Sequence, residues 1–443
     1  MDFRDRLAAL GVHVPDILLP AKGIDWSKWA VVACDQYSSE PGYWKRVEAA
    51  VSGAPSSLNL VFPEAYLEDP DAEERIARIQ ERMRDYLERG VLSSAGEGLV
   101  LVERFTPYEK KPRVGLVLAV DLEAYRYDAL SPSLIRPTEG TIASRLPPRM
   151  RIRRGAGLEL PHIMLLVDDP ERSVIEPIYE SRERLHKLYD FDLMLGSGRV
   201  RGWRVNENAI LGRLADCLEA IRDCGGGLLF AVGDGNHSLA TAKAIWEETK
   251  AANPSDPAIM GHPARYALAE LVNIYDEGLP FHPIHRLLSG VDETEFLSAL
   301  KARCDVEVKR CPSVEESVAA VDATKALSDA SGSVHRISLI SRKGSYLVSF
   351  INPTSHLAAG SLQDFLDPFL AAHKGGGIDY IHGGESLVAL ATIEGNLGLY
   401  LPPIDKSSFF ATVNRDGVMP RKTFSMGEAP EKRFYIEARR ITR

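Results

Sequence analysis

Apolar residues recur along the chain with two different periods, and each period predicts a different kind of element. In residues 72–89 they recur every three or four positions, which predicts an amphipathic helix that ends at Gly90. Short apolar runs rich in β-branched residues predict strands of a covered sheet, and these runs lie at 98–105, 114–122, 162–169 and 227–232. The first part of the chain is therefore predicted to build a sheet flanked by helices.

The alternation of the two patterns continues to the end of the chain. From about residue 290 helical and strand patterns follow one another, which predicts a second domain with both kinds of element. We therefore predict a mixed α+β fold, α/β in the broad sense. An N-terminal domain spans residues 1–288 and a C-terminal α/β domain spans residues 289–443 in this interpretation.

Composition and charge exclude several classes of partner. The 443 residues carry 53 Lys and Arg against 62 Asp and Glu, a formal net charge of −9. Since binding to duplex nucleic acid requires a positive face, this balance argues against such a partner. No apolar run reaches the ~18 residues of a bilayer span, and the five cysteines form no CxxC pair. We expect a cytoplasmic protein without a membrane partner, and the sequence leaves the oligomeric state open.

The most informative stretch follows the fourth predicted strand. Residues 233–238, GDGNHS, form a predicted turn, and LATAKAIWEETK continues as a helix. A helix that begins directly after a strand exposes its first N–H groups, and Asn236, His237 and Ser238 add side-chain donors there. This pattern predicts a phosphate-binding turn. An ordinary turn, with Asp234 or Asn236 as the helix N-cap, is the alternative, and neither GxxxxGK[ST] nor GxGxxG is present.

Two further groups of polar residues are candidates for phosphate chemistry. Arg145 and Arg149 lie in a local basic cluster and could clamp a phosphate, while Glu139 could bind magnesium or accept a proton. Lys422 lies in the stretch MPRKT near the C terminus and could neutralise a transferring phosphoryl group. The alternatives are a solvated strand face for the arginines and a surface loop for Lys422.

Taken in order, these motifs resemble a bacterial and archaeal family of unknown function whose hallmark is a DGHHR motif after a strand. Here that motif reads DGNHS, at 234–238, and the supporting stretches are RPTEGTIASRLPPR (136–149), LVNIYDEGLPFHPIHR (271–286) and MPRKTF (419–424). The resemblance covers nearly the whole length. Ser238 replaces the final arginine of the motif, so another cation would have to clamp a phosphate in this chain.

The resemblance carries further implications about fold and site. That family is similar in its core to the ParB/sulfiredoxin-like fold, which includes CTP-binding ParB proteins, sulfiredoxins and an archaeal free-serine kinase that uses ADP. It implies such a core within the N-terminal domain, with a nucleotide or phosphoryl site at Asp234, Gly235, Asn236 and His237. Sulfiredoxin chemistry is excluded, because Asn236 stands where its cysteine would be. The resemblance also favours Glu139, Arg149 and Lys422 as site residues. A site role for Lys422 implies that the C-terminal domain folds back over the cleft.

We therefore predict a nucleotide-dependent phosphotransferase that acts on a small hydroxylated metabolite, with magnesium and with ATP, ADP or CTP as the nucleotide. The predicted catalytic residues are Asp234, Glu139, His237 and Lys422. The predicted nucleotide-binding residues are Gly235, Asn236, Ser238, Arg149 and Arg145, and the predicted magnesium ligands are Asp234 and Glu139. Two alternatives remain: a nucleotide-binding regulatory protein without catalysis, and a metal-dependent hydrolase with a histidine–carboxylate metal site.

Overall fold

The computed structural model of the chain describes residues 2–128, 132–160, 162–323, 334–353, 355–373 and 375–443. It divides into two compact units, the first made of Met1–Leu279 with Glu428–Arg443 and the second of Pro280–Gly427. Both units combine helices with sheets, so the predicted mixed α+β class is confirmed. The division falls at Leu279 rather than at residue 288, and the C-terminal segment returns to the first unit.

The helices of the first unit surround its sheets. Their bounds are α1 Phe3–Ala9, α2 Trp26–Trp29, α3 Pro41–Val51, α4 Ala72–Glu88, α5 Leu146–Arg153, α6 Glu176–Glu180, α7 Asn208–Cys224 and α8 Asn236–Ala252. The predicted amphipathic helix is confirmed as α4, because Ile76, Ile79, Met83 and Tyr86 form its buried stripe. None of the described helices is long and apolar enough to span a bilayer.

The described part of the first unit contains one large mixed sheet and three two-stranded sheets. The strands of this unit up to Leu279 are β1 Val12–His13, β2 Asp16–Pro20, β3 Val31–Val32, β4 Leu92–Glu97, β5 Leu99–Phe105, β6 Arg113–Asp121, β7 Ile135–Pro137, β8 Leu158–Glu159, β9 Met164–Val167, β10 His186–Asp192, β11 Arg199–Val205, β12 Phe230–Asp234 and β13 Tyr266–Asn273. The large sheet has the order β10-β11-β5-β6-β13-β9-β12-β7, with β1 paired to β6. Strand β12 runs parallel to β7, and β13 runs parallel to β9.

Hydrophobic residues cover both faces of this sheet, as the unbroken apolar runs predict. Every residue of β6 is buried, because its alternate side chains enter two different hydrophobic clusters. One cluster contains Val117 and Ala119, and the other contains Leu116 and Leu118. A strand that is buried on both faces is apolar along its interior, which explains why period-two alternation is missing between the charged ends Arg113 and Asp121.

The C-terminal segment is held in the first unit by strand pairing and by buried charges. Its strands are β21 Phe434–Tyr435, which pairs with β3, and β22 Arg439–Arg440, which pairs with β8. The Arg433 guanidinium donates hydrogen bonds to the carboxylates of Glu270, on β13, and Glu437. These side chains are almost completely buried, so each charge depends on its partner for stability.

The second unit is an antiparallel sheet with helices. Its helices are α9 Glu293–Arg303, α10 Val314–Asp322, α11 Ala358–Ala372, α12 Gly384–Ala391 and α13 Lys406–Asp416. Its strands are β14 His282–Ser289, β15 Val306–Cys311, β16 Val334–Ser341, β17 Gly344–Ile351, β18 Gly377–His382, β19 Asn396–Tyr400 and β20 Phe424–Ser425. The strand order is β15-β17-β16-β19-β14-β18, with β20 paired to β14. This unit contains Lys422.

Candidate functional site

The turn between β12 and α8 is tighter than the sequence predicts. Strand β12 continues through Asp234 and the helix begins at Asn236, so Gly235 alone makes the connection. Gly235 is left-handed, with φ of 78°, and a Cβ atom there would lie 2.9 Å from the Cα atom of Ile163. Both conditions require glycine. Gly235 is therefore the N-cap residue, in place of the predicted Asp234 or Asn236.

The first turn of α8 leaves backbone donors without partners. The first hydrogen bond of the helix runs from the Leu239 N–H to the Gly235 carbonyl, at 3.0 Å. The N–H groups of Asn236, His237 and Ser238 have no acceptor among the residues that the structure describes. Since these groups carry the positive end of the helix dipole, the turn is suited to an anion.

Asp234 is an ionised carboxylate with both oxygens engaged. Its Oδ1 accepts the Gly235 N–H at 2.9 Å, and its Oδ2 lies 3.1 Å from the ammonium Nζ of Lys432. Burial alone would raise the pKa of Asp234, but the Lys432 charge and hydrogen bond, together with His162, hold that pKa below its usual value. A carboxylate that is stabilised in its ionised form by an ion pair is a weak proton acceptor. Asp234 is therefore better suited to hold the Lys432 ammonium in position than to accept a proton.

A second group of polar residues lies where β3 and β21 pair. His162 Nε2 is 3.6 Å from Asp35 Oδ2, and His162 Nδ1 is 2.6 Å from the hydroxyl of Tyr435. The same hydroxyl lies 3.0 Å from the sulfur of Cys34 and accepts the Cys34 N–H at 3.1 Å. When Nδ1 donates to Tyr435, the lone pair of His162 lies on Nε2, and a proton taken up there would be paired with the Asp35 carboxylate.

The predicted phosphate-binding arginines, Arg145 and Arg149, influence the pKa of His237. Its Nε2 atom accepts the N–H of Ile142 at 3.2 Å. Burial and the charges of Arg149 and Arg145 lower the pKa of His237 to about 4, so the imidazole is neutral at pH 7. Arg149 also forms an ion pair of 2.5 Å with Glu64, whose pKa is raised by burial and lowered in part by that guanidinium.

This environment predicts how His237 titrates. We expect its imidazole to stay neutral until the pH approaches about 4, which an NMR titration of its ring protons measures. Because the folded pKa is below the 6.5 of free histidine, the unfolded chain takes up the proton first. Stability that depends on neutral His237 is therefore complete above pH 6.5 and falls between pH 6.5 and 4, and His237→Gln should reduce this loss. A midpoint near 6.5 would contradict the burial described here.

A cavity of about 140 Å³ opens beside the first turn of α8. Its polar lining includes Arg149, His162, Ser238 and Tyr435, together with the thiol of Cys34. The structure thus brings Ser238 and Arg149, two of the predicted residues, to one cavity with the His162 group. Burial raises the pKa of the Cys34 thiol, which makes it a poor nucleophile.

The comparisons with known proteins identify a family. The model of a protein family described as "Protein of unknown function (DUF1015)" matches residues 18–369. This chain belongs to the DUF1015 family. No curated protein matches it.

Several solved structures are similar to this DUF1015 chain at low sequence identity. A conserved hypothetical protein from Pyrococcus furiosus is 14% identical, with 74% of this chain and 95% of that chain covered and a TM-score of 0.37. A free serine kinase in complex with AMP is 13% identical, with 74% and 91% covered and a TM-score of 0.38. SbnI from Staphylococcus aureus, truncated at its C terminus, is 8% identical, with 72% and 85% covered and a TM-score of 0.36.

The remaining predicted residues of this DUF1015 member differ in how they are placed. Strands β7 and β12 are parallel with Pro137 opposite Val232, so Glu139, two residues after β7, and Asp234, the last residue of β12, lie at the same edge of the sheet. The amide oxygen of Asn236 is buried and has no hydrogen-bond partner in the described part of the chain. Lys422 lies in the second unit, where its carbonyl accepts a hydrogen bond of 2.9 Å from Arg286, and its catalytic role stays a prediction.

Sequence reasoning missed most of the residues that surround the turn. Lys432 and Tyr435 come from the C-terminal segment. The antiparallel pairing of β21 with β3 brings Tyr435 beside Cys34, and Lys432 reaches Asp234. Glu64 joins them because its N–H donates to the Cys34 carbonyl at 2.8 Å. His162 could have been found from its position, because it is the first residue of the predicted strand at 162–169, and the observed β9 in that stretch pairs with β12.

Proposed function

We propose that the turn at Asp234–Ser238 binds the phosphates of a nucleotide and that the protein transfers the terminal phosphoryl group to the hydroxyl of a small metabolite. One observation carries the proposal: three helix N–H groups that have no acceptor among the described residues lie near the half-buried ammonium of Lys432 and the His162–Asp35 pair. Phosphoryl transfer depends on positioned donors, on positive charge and on an acceptor for the hydroxyl proton. The described residues supply each of these.

Phosphate binding is assigned to the turn and to two cations. The N–H groups of Asn236, His237 and Ser238 would accept the phosphate oxygens, as at other helix N-termini. Lys432 contributes a point charge that Asp234 holds in place through the 3.1 Å ion pair. Arg149 would replace the final arginine of the DGHHR motif, whose position is occupied by Ser238 in this chain.

Transfer is assigned to His162 and Asp35. The hydroxyl oxygen of the acceptor attacks the terminal phosphorus, the bond from phosphorus to the bridging oxygen breaks, and the shortened nucleotide leaves with that oxygen negatively charged. The hydroxyl proton passes to Nε2 of His162. Asp35, 3.6 Å away, stabilises the imidazolium that results.

Magnesium stays a prediction in this proposal. The described residues contain no group of three or more His, Cys, Asp or Glu side chains that could hold a metal ion. Magnesium at phosphates often has only one or two protein carboxylates. Glu139 lies at the same edge of the sheet as Asp234, and Asp234 would have to give up its ion pair with Lys432 to bind the metal. When bound there, it would neutralise phosphate charge. The lack of a larger cluster gives no support to the metal-dependent hydrolase.

Lys432→Met tests the proposal. We expect nucleotide affinity to fall at least tenfold, because the unpaired Asp234 carboxylate would then repel phosphate. The measurement is the rise in unfolding temperature with ATP, ADP or CTP, with and without magnesium, since ligand at 100 times its Kd stabilises by about 2.7 kcal/mol. The double variant Asp234→Asn/Lys432→Met should recover part of the affinity. Lys187→Met, which breaks an exposed pair of 3.3 Å with Asp190, is the matched control.

The outcomes separate the proposed function from its alternative. Turnover of nucleotide with a phosphorylated alcohol as product, detected by ³¹P NMR, supports a phosphotransferase. Tight nucleotide binding without any product supports the regulatory protein instead. If no nucleotide raises the unfolding temperature, or if Lys432→Met leaves the shift unchanged, the phosphate site is not at this turn.

A further inference from the structure

The cavity beside α8 has an apolar interior. Its apolar lining consists of Leu60, Val61, Phe62, Met83, Ile152, Ala156, Leu158, Leu160 and Ile163. Its volume of about 140 Å³ is close to the ~150 Å³ of an engineered apolar cavity that accommodates benzene. The interior is thus suited to a compact apolar group of about that size.

The charged side chains in the cavity wall are already paired with one another. Glu64 has the Arg149 guanidinium, and Glu159 has Arg153 at 2.6 Å and Arg439 at 2.7 Å. Glu159 also accepts the N–H of Leu268 at 2.9 Å. Because both carboxylates of the wall have guanidinium partners, the interior does not require a cationic ligand.

Two polar groups that line this cavity can form hydrogen bonds with a ligand. The hydroxyl of Ser238 has no hydrogen bond within the described residues, and Nε2 of His162 is the proposed proton acceptor. A ligand that loses a proton to His162 must hold its hydroxyl beside this ring. The cavity that His162 lines is therefore on the side of the acceptor, whereas a nucleobase has no hydroxyl to present there.

We propose that the cavity binds the substituent of the acceptor, and that the acceptor is a neutral alcohol with a compact apolar group of about six carbon atoms. This inference rests on the proposed function for the direction of the hydroxyl. The apolar group enters between Met83 and Ala156, and the hydroxyl lies between Ser238 and His162. Small polyhydroxylated compounds leave the apolar interior unfilled and bind weakly.

Binding is tested with the whole chain and without nucleotide. The probe is 4-fluorobenzyl alcohol, followed by ¹⁹F NMR, with benzyl alcohol, glycerol and adenosine as competitors. We expect benzyl alcohol to displace the probe at concentrations at least tenfold below those of glycerol or adenosine. Displacement by adenosine at concentrations comparable to benzyl alcohol would overturn the proposal, because the cavity would then bind the base.

Two variants change the cavity without changing the proposed catalytic groups. Ala156→Leu fills it and is expected to weaken probe binding at least tenfold, while Ala9→Leu on the exposed face of α1 is the matched control. Met83→Ala enlarges it and is expected to bind 2-naphthylmethanol at least tenfold more tightly than the natural protein does. The second variant keeps the test decisive if Ala156→Leu does not fold.

The results also separate this inference from the proposed function. Probe binding that is lost in Ala156→Leu supports the cavity assignment even when no alcohol becomes phosphorylated, in which case the phosphotransferase proposal alone fails. Phosphorylation of glycerol as efficient as that of benzyl alcohol, with no detectable probe binding, overturns the cavity assignment and leaves phosphoryl transfer in place.

Discussion

Replacing Arg433 by methionine is expected to lower the free energy of unfolding by about 3–5 kcal/mol. Methionine removes the guanidinium that pairs with Glu270 and Glu437, and these two carboxylates are at most 1% exposed. A buried carboxylate that loses its partner either stays charged in a low dielectric or takes up a proton, and both are costly. Arg113, at 3.8 Å, leaves Glu270 only partly compensated.

Urea unfolding measures this effect, with Arg440→Met as the control. Arg440 lies on the same C-terminal segment but is exposed, so its replacement should change stability by no more than about 0.5 kcal/mol. The segment also carries Lys432 and Tyr435, so Arg433→Met should loosen the site as well. Equal stability of the two variants would mean that buried charges do not hold the C-terminal segment to the sheet.

Replacing His162 by glutamine is expected to reduce phosphoryl transfer by about 10²–10⁴-fold, the usual contribution of a general base. Glutamine can keep a hydrogen bond to Tyr435 but cannot take up the proton of the acceptor. The loss should therefore appear in kcat, while KM for the nucleotide stays nearly constant. Steady-state kinetics at one fixed pH, with the unfolding temperature measured alongside, provides the test.

The kinetic parameters distinguish catalysis from a structural role. Loss of a general base lowers kcat and leaves KM for the nucleotide and the unfolding temperature nearly constant. His186→Gln, at an exposed position that starts β10, is the control and should leave both parameters unchanged. A lower unfolding temperature together with a raised KM would show that His162 only supports the fold.

The sequence predicted the local elements better than the site. Helix α4 and strand β6 follow from patterns in neighbouring residues, and the turn at Gly235 follows from glycines after an apolar run. Lys432 carries no local signal, because it reaches Asp234 only through the pairing of β21 with β3. The end of the first unit at Leu279 was missed for the same reason, since the return of the C-terminal segment depends on distant partners.

The predicted site residues divide in a similar way. Ser238 lies at the cavity because it is in the first turn of α8, whereas Asp234, Gly235, Asn236 and His237 do not line it. Helix α5 places Arg149 close enough to His237 to lower the pKa of that imidazole. The basic cluster in the sequence does not reveal this proximity, because it depends on how α5 packs against α8. The roles of Glu139 and Lys422 remain predictions.

The central claim is that the N–H groups at the start of α8 bind a phosphoryl group, and amide NMR measures it directly. Adding ADP to protein labelled with ¹⁵N should shift the amide resonances of Asn236, His237 and Ser238. The first amides of α7, another long helix, should stay in place. Movement at α7 alone, or no movement at α8 under conditions where nucleotide is bound, would contradict the account.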